Sequence, residues 1–351
     1  MAPSRHYPVS DTGHYLLPPD ICLSFTGDDR KAREAIEYMF EFCHPLPGPV
    51  PPCTDQLAAR ISINHDYLSR PLPGWLQDEV VGHRYDQVHA FYGPDGEVAA
   101  LLAGDDGFVC GILDEKATNI EITLGRTTGP ETLMMSPSAI FTPLLQEALQ
   151  RRDRLIFHGA GVRLPDGGGI LLLADSGGGK TTTALALVRR NCSLLADDLV
   201  ILAEEHGEPF LHGIPEPLNL TAATREFFPE LRDVTGLPLR DGVTDKVVFD
   251  LRPVYGDRCF ADRTRLQCIC MVRVTGAGPS LTPLPPQVAL GKMIKGCTFA
   301  FNQRLSRATG ARLFDLAAGI PCFELQTGGD PNSLGDWLIE QATSLAAARK
   351  Q

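Results

Sequence analysis

Short apolar runs punctuated by turn residues fill the stretch from Gln87 to Gly125: QVHAFYG, EVAALLAG, FVCGILD and NIEITLG, with PDG and DDG between them. Runs of that length and spacing predict a mostly antiparallel sheet. Helical periodicity flanks it on both sides. DDRKAREAIEYMFEFC (Asp28–Cys43) places Ala35, Ile36, Met39 and Phe40 on one face. The proline-rich HPLPGPVPPC (His44–Cys53) then stops the helix, because each proline removes a donor and fixes φ. SPSAIFTPLLQEALQRR (Ser136–Arg152) predicts a second helix, opened by a serine cap. Residues 1–18 read as a flexible arm. Residues 19–150 read as an α+β region to which no chemistry attaches.

From Leu155 the pattern sharpens. LIFHGAGVRL and GGILLLAD are strand-like and are joined by the turn sequence PDGG, which predicts an antiparallel hairpin. TTTALALVRR is helical for about three turns. CSLLADDLVILA is an apolar strand interrupted by two aspartates. DKVVFDL, LQCICMVRV and IPCFELQ add further strands, with two short helical pieces among them. SLGDWLIEQATSLAAARKQ closes the sequence as an amphipathic helix. The expected fold class is therefore α/β (α+β) with a mixed sheet. Residues 151–330 form the second domain and 331–351 a C-terminal helix.

The hairpin leads into LLLADSGGGKTTTALAL (Leu171–Leu187). Read against the phosphate-loop pattern GxxxxGK[ST], the segment Ala174 to Thr181 matches at every position but the first, where alanine replaces glycine. The physics survives that change. Gly177, Gly178 and Gly179 let backbone N–H groups turn inward, the following helix adds its positive end, Lys180 reaches the outer phosphates and the Thr181 hydroxyl can ligate Mg²⁺. Ser176 and Thr182 belong to the same expected nucleotide contact set. Asp197 and Asp198 form the second element. Adjacent carboxylates inside an apolar run are costly unless they face a cation, and Mg²⁺ against phosphates is the natural one. Two neighbours can also divide labour, one holding metal while the other takes a proton. His158 is the third element, placed by the expected hairpin beside the loop strand.

Together IFHGAGV, ADSGGGKTTTALAL and CSLLADDLVIL resemble the kinase domain of HPr kinase/phosphorylase and its relatives with the phosphoenolpyruvate-carboxykinase-like nucleotide fold. The close match spans about residues 150–203, and a looser likeness extends to about residue 330 through GIPEPLNL, DKVVFDL and GIPCFELQTGGD. The resemblance implies a kinase using ATP, or another nucleoside triphosphate, with Mg²⁺. It gives Asp197 and Asp198 the metal contact and the base, lets His158 position the phosphate, makes Glu216 a second metal-side carboxylate, and offers Lys246 or Arg252 as phosphate-neutralising cations. Three departures separate this chain from true HPr kinases. Thr181-Thr182-Thr183 follow the lysine where that family has serine and glutamate. EPLNLTAATREFFPELRDVTG lacks its Arg-Gly motif. Residues before 130 do not resemble its regulatory domain. The nucleotide site carries over, but HPr as acceptor does not, and neither does phosphoenolpyruvate decarboxylation.

Composition narrows the partners. A net charge of −11 argues against nucleic acid and membrane surfaces as general partners. Arg252, Arg258, Arg263, Arg265 and Arg273 lie close in sequence and read either as solvated surface charges or as a basic cluster for an acidic or phosphorylated acceptor. Ten cysteines, without metal or disulfide spacing, read as buried reduced thiols of a cytoplasmic protein, with Cys268 and Cys270 on one strand face. No leader or membrane segment is read. The leading expectation is transfer of the γ-phosphoryl group to a hydroxyl of a peptide or protein serine, or of a small metabolite. The competing one is a non-catalytic nucleotide-binding regulatory or assembly protein. A plain hydrolase ranks below both for want of a water-positioning glutamine. ADP as donor and a homo-oligomer stay open.

Overall fold

The computed structural model describes residues 12–17, 21–27, 55–63, 84–85, 88–104, 107–124, 130–175, 177–213, 218–232, 234, 237–238, 247–297, 303–328 and 330–349. They fall into two units, Met1–Arg152 with Ala300–Ser306, and Asp153–Phe299 with Arg307–Gln351. Asp28–Cys43 and His44–Cys53, read above as a helix and its stop, lie outside the described residues.

The first unit carries an eight-stranded sheet. Its strands are β1 (Thr12–Leu17), β2 (Ile21–Gly27), β3 (Asp55–Ile63), β4 (Arg84–Tyr85), β5 (Val88–Tyr92), β6 (Val98–Gly104), β7 (Gly107–Leu113) and β8 (Asn119–Leu124), in the order β1-β2-β3-β8-β7-β6-β5-β4. The four runs read from Gln87 onward are β5 to β8, antiparallel neighbours in sequence order. Only β3 breaks the pattern, lying parallel to both β2 and β8. The flexible arm expected over residues 1–18 fails at its second half. Thr12–Leu17 is paired along its length with β2, from Thr12 opposite Thr26 to Leu17 opposite Ile21, and these ladder bonds satisfy its backbone. Helix α1 (Pro130–Gln150) also departs from expectation: it starts at Pro130, not behind Ser136, and runs through Pro137 and Pro143. Burial of Ile140, Phe141, Leu144, Ala148 and Leu149 offsets the donors the prolines remove.

The second unit is built on a nine-stranded mixed sheet. Its strands are β9 (Leu155–His158), β10 (Ala160–Arg163), β11 (Gly168–Leu173), β12 (Ser193–Ala196), β13 (Leu199–Glu205), β14 (Glu208–Gly213), β18 (Arg263–Val274), β19 (Ser280–Pro283) and β20 (Cys322–Thr327). A separate three-stranded sheet joins β15 (Leu218–Leu220), β16 (Leu237–Pro238) and β17 (Val247–Phe249). Helices α2 (Lys180–Val188), α3 (Ala222–Glu226), α4 (Arg252–Tyr255), α5 (Pro286–Gly296), α6 (Gln303–Gly319, from Arg307 onward) and α7 (Pro331–Arg349) complete it. Two apolar layers hold the sheet. One gathers Ala160, Val162, Ile170, Leu172, Leu185, Leu187, Cys268, Cys270, Leu334 and Leu338, which ties α2 and the C-terminal α7 into a common core. The other gathers Phe157, Leu171, Leu173, Val200, Ile269, Met271, Met293 and Leu313. The opposed memberships of Leu171 and Leu172, and of Ile269 and Cys270, are the period-2 alternation of strands covered on both faces. None of the eight cysteines among the described residues is in a disulfide and all are buried, and burial pushes the Cys192 thiol up to about 12.

Candidate functional site

One short strand determines where the chemistry-bearing residues meet. β10 pairs antiparallel with β11 on one side (Ala160 opposite Leu172) and with β12 on the other (Gly161 opposite Ala196). Two strands antiparallel to a shared neighbour run parallel to each other, so β11 and β12 end at the same edge. The glycine loop follows Leu173 and the two aspartates follow Ala196, and both emerge there. The hairpin expected from PDGG is present: Leu164 N donates to Gly168 O at 2.8 Å and Gly168 N to Asp166 Oδ1 at 2.9 Å.

His158 reaches this edge by a route the sequence did not suggest. LIFHGAGVRL is two strands, not one, and it turns at Gly159. A Cβ at that position would lie 2.7 Å from both Leu172 O and Leu173 Cδ2, so only glycine lets the chain cross the end of β11. β9 then pairs with β13 instead of the loop strand, with His158 opposite Leu199. Its Nδ1 lies 2.8 Å from Asp198 Oδ1, and both side chains are about half exposed, at 53% and 47%. Gly159 N also donates to Asp198 O at 3.0 Å. Asp198 is therefore held through its carbonyl to Gly159 and through its carboxylate to His158.

In the loop, Gly177 and Gly179 have φ of 73° and 92°, in the left-handed region that glycine enters without steric cost. Ala174 is not among the residues with positive φ, so the pattern's first glycine is dispensable here. Lys180 opens α2 and is 9% exposed. Its Nζ donates to Ala174 O at 3.0 Å, folding the ammonium across the loop. One turn on, the Thr183 hydroxyl donates to Gly179 O at 2.8 Å, fastening the loop's last glycine to the helix.

The loop and the acid pair are joined directly. Thr181 Oγ1 donates to Asp197 Oδ2 at 2.9 Å, and Asp197 is 9% exposed. A hydroxyl and a carboxylate presented together at the positive end of a helix form an all-oxygen donor set that suits Mg²⁺. No group of three or more His, Cys, Asp or Glu side chains placed to hold a metal occurs among the described residues. Mg²⁺ characteristically takes only one or two protein ligands and completes its shell with phosphates and water.

Other residues fall elsewhere. Ser176, Glu216 and Lys246 lie outside the described residues. Thr182 turns away from the loop, its hydroxyl 3.3 Å from that of Thr224. The arginine cluster is dispersed among carboxylates: Arg252 pairs with Asp250 at 2.8 Å, Arg263 with Glu205 at 2.8 Å, and Arg265 lies 3.7 Å from Glu208. The sequence reading missed how α2 is anchored at its far end. Arg189 binds Glu230 through two nitrogens, and Tyr255 donates to Glu230 at 2.6 Å. It also missed the hydroxyl chain in which Thr221, the cap of α3, receives Thr224 N at 3.2 Å. The T-x-x-T spacing ahead of α3 was the available signal. A cavity of about 610 Å³, lined by Leu155, Leu202, Arg265 and Arg312 among others, contains no loop residue or acid-pair residue.

No family model matches the chain, and no curated protein matches it. Among solved structures, the HPr(Ser) kinase/phosphatase from Coxiella burnetii is similar with a TM-score of 0.33 and 10% identity, over 56% of this chain and 99% of that one. The similarity is distant and at the level of fold, and the functional reading below rests on the loop and the acid pair.

Proposed function

We propose that the second unit is a phosphotransferase that takes the γ-phosphoryl group of a nucleoside triphosphate, ATP in the first instance, to a hydroxyl acceptor. The observation that carries the reading is the 2.9 Å bond from Thr181 to Asp197, because it couples the anion-binding loop to a carboxylate pair at one sheet edge. A glycine-rich turn alone has no use for a buried acid beside it, whereas a site for phosphate and a divalent cation needs both.

In this reading the loop amides and Lys180 bind the phosphates, and the ammonium exchanges its bond to Ala174 O for phosphate oxygens. Thr181 and Asp197 hold Mg²⁺, which supplies charge neutralisation on the transferring group when bound. Asp198 accepts the acceptor hydroxyl's proton on its carboxylate. His158, donating from Nδ1 to Asp198 Oδ1, fixes the orientation of that carboxylate. The acceptor is a hydroxyl on a peptide, protein or metabolite.

The test is incubation with Mg-ATP and a panel of hydroxyl metabolites and serine peptides, read by mass for added phosphate. Asp198→Asn is expected to lower transfer by at least about 100-fold while nucleotide binding persists. Wild-type rates from Asp198→Asn would refute the assigned base. Nucleotide binding without transfer to any acceptor would favour the regulatory or assembly role instead.

A further inference from the structure

The loop has two flanks of opposite character. On the β12 side stand Asp197 and Asp198. On the other side β18 lies parallel to β11, with Met271 opposite Leu173, and continues past the end of β11 to Val274. Val274 is 57% exposed, the most exposed of the large apolar side chains among the described residues. It is also tight against the loop. A Cβ on Gly179 would fall 2.8 Å from Val274 Cγ2 and 3.9 Å from Thr327 Oγ1. Thr275 N donates to Thr327 O at 3.1 Å, which ties together the ends of β18 and β20. Thr275 Oγ1 is shielded from solvent and has no hydrogen-bond partner among the described residues.

A single exposed apolar side chain is ordinary by itself; what sets Val274 apart is its place against the loop, at the end of a central strand. Thr275, one residue on and still tied to β20 by its backbone, faces the other side of the sheet by strand alternation, whereas Thr327 shares the Gly179 side. In open α/β sheets, ligands lie outside the carboxyl ends of the parallel strands, and Val274 stands at such an end beside the loop. A nucleoside triphosphate lying across the loop has one end that needs a cation and acids, and another that is a flat apolar ring edged with hydrogen-bonding groups. The acids occupy one flank, so the ring belongs on the other.

Building on the nucleotide reading, we infer that Val274, with Thr327, forms the seat for the nucleobase, so that the triphosphate runs from β18 across the loop toward Asp197 and Asp198. Val274 packs on the ring face, and the Thr327 hydroxyl lies on the same side of the sheet for a polar atom of the nucleoside. The Val274 contact serves any aromatic base. The choice between bases falls to Thr327 and the neighbouring backbone.

Calorimetric titration of the full chain with Mg-ATP and with inorganic tripolyphosphate separates base from phosphate. In Val274→Ser the dissociation constant for ATP is expected to rise about fivefold, while that for tripolyphosphate stays within about twofold of wild type. Thr275→Val, on the other face of the sheet, is expected to leave both constants within about twofold of wild type. Independently, the Val274 methyl resonances of a ¹³C-methyl-labelled protein are expected to move upfield on adding ATP and to stay put on adding tripolyphosphate. Unchanged ATP affinity in Val274→Ser, or equal losses for both ligands, overturns the seat while leaving the nucleotide reading intact. A wild-type protein that binds neither ligand overturns the nucleotide reading and the seat together.

Discussion

Gly213 ends β14 at the point where that strand passes under β12, and nothing larger than hydrogen fits there. A Cβ built on it would lie 2.5 Å from the carbonyl carbon of Leu195 and 2.9 Å from its Cα, with the carbonyl oxygen closer still. All three atoms are backbone, so no side chain can rotate away. Reaching the 3.4 Å of ordinary contact with that carbon takes a backbone shift of about 0.9 Å, and clearing the nearer oxygen takes more. Leu195 is buried and lies two residues before Asp197, so the strand that yields is the one carrying the acids. Overpacking of this kind costs about 1–3 kcal/mol, and the upper end applies where the clash is with backbone. For a unit of this size that is a fall of roughly 6–12 °C in the melting midpoint. Any folded Gly213→Ala protein should also lose about 100-fold in phosphoryl transfer, because a displacement near 1 Å is enough to misalign reacting groups. The control is Gly291→Ala, on α5 with nothing within 4 Å of its Cβ. It should leave stability unchanged or raise it by about 0.5–1 kcal/mol. Thermal melts of both variants decide the matter. If Gly213→Ala melts within about 2 °C of wild type, the strand crossing at Leu195 is wrong, and with it the placement of the acid pair.

Two further outcomes can be checked directly. Lys180→Met keeps the apolar stem and removes the charge, and should weaken Mg-ATP and tripolyphosphate binding alike by roughly 10- to 100-fold, read by calorimetry. Glu230 gives a pH dependence. Burial works to raise its pKa, but hydrogen bonds from Arg189 and Tyr255 outweigh burial and hold it below the ordinary 4.5. A depressed folded pKa means the contribution is full above 4.5 and is lost as pH falls through the lower folded value. Urea midpoints of wild type should therefore drop more steeply below that pH than those of Glu230→Gln, and parallel curves would refute the assignment.

Sequence legibility followed the range of the interactions. The PDGG hairpin, the glycine loop running into α2, and the strand broken by Asp197 and Asp198 are set by residues within a few positions of one another, through turn φ values and apolar period. Each appears in the structure at the place read for it. Local signals mislead at Ser136, a cap-like serine within a longer helix, and at residues 12–17, where an arm-like composition pairs as a strand. It also gathered five arginines by proximity in sequence, although three of them are directed to separate carboxylates.

What the chain alone determined is the inventory: a loop able to fold around an anion, a lysine and threonine to follow it, and a pair of acids on a later strand. What tertiary structure decided is their juxtaposition. β10 aligns the ends of β11 and β12, Gly159 hands His158 to β13 and so to Asp198, and β18 brings Val274 against Gly179. These contacts join residues far apart in the chain, and a periodicity or a motif carries no measure of distance across a sheet. The physical reason is that strand order is settled by which apolar faces can be buried together, a condition on the whole core that no local stretch contains.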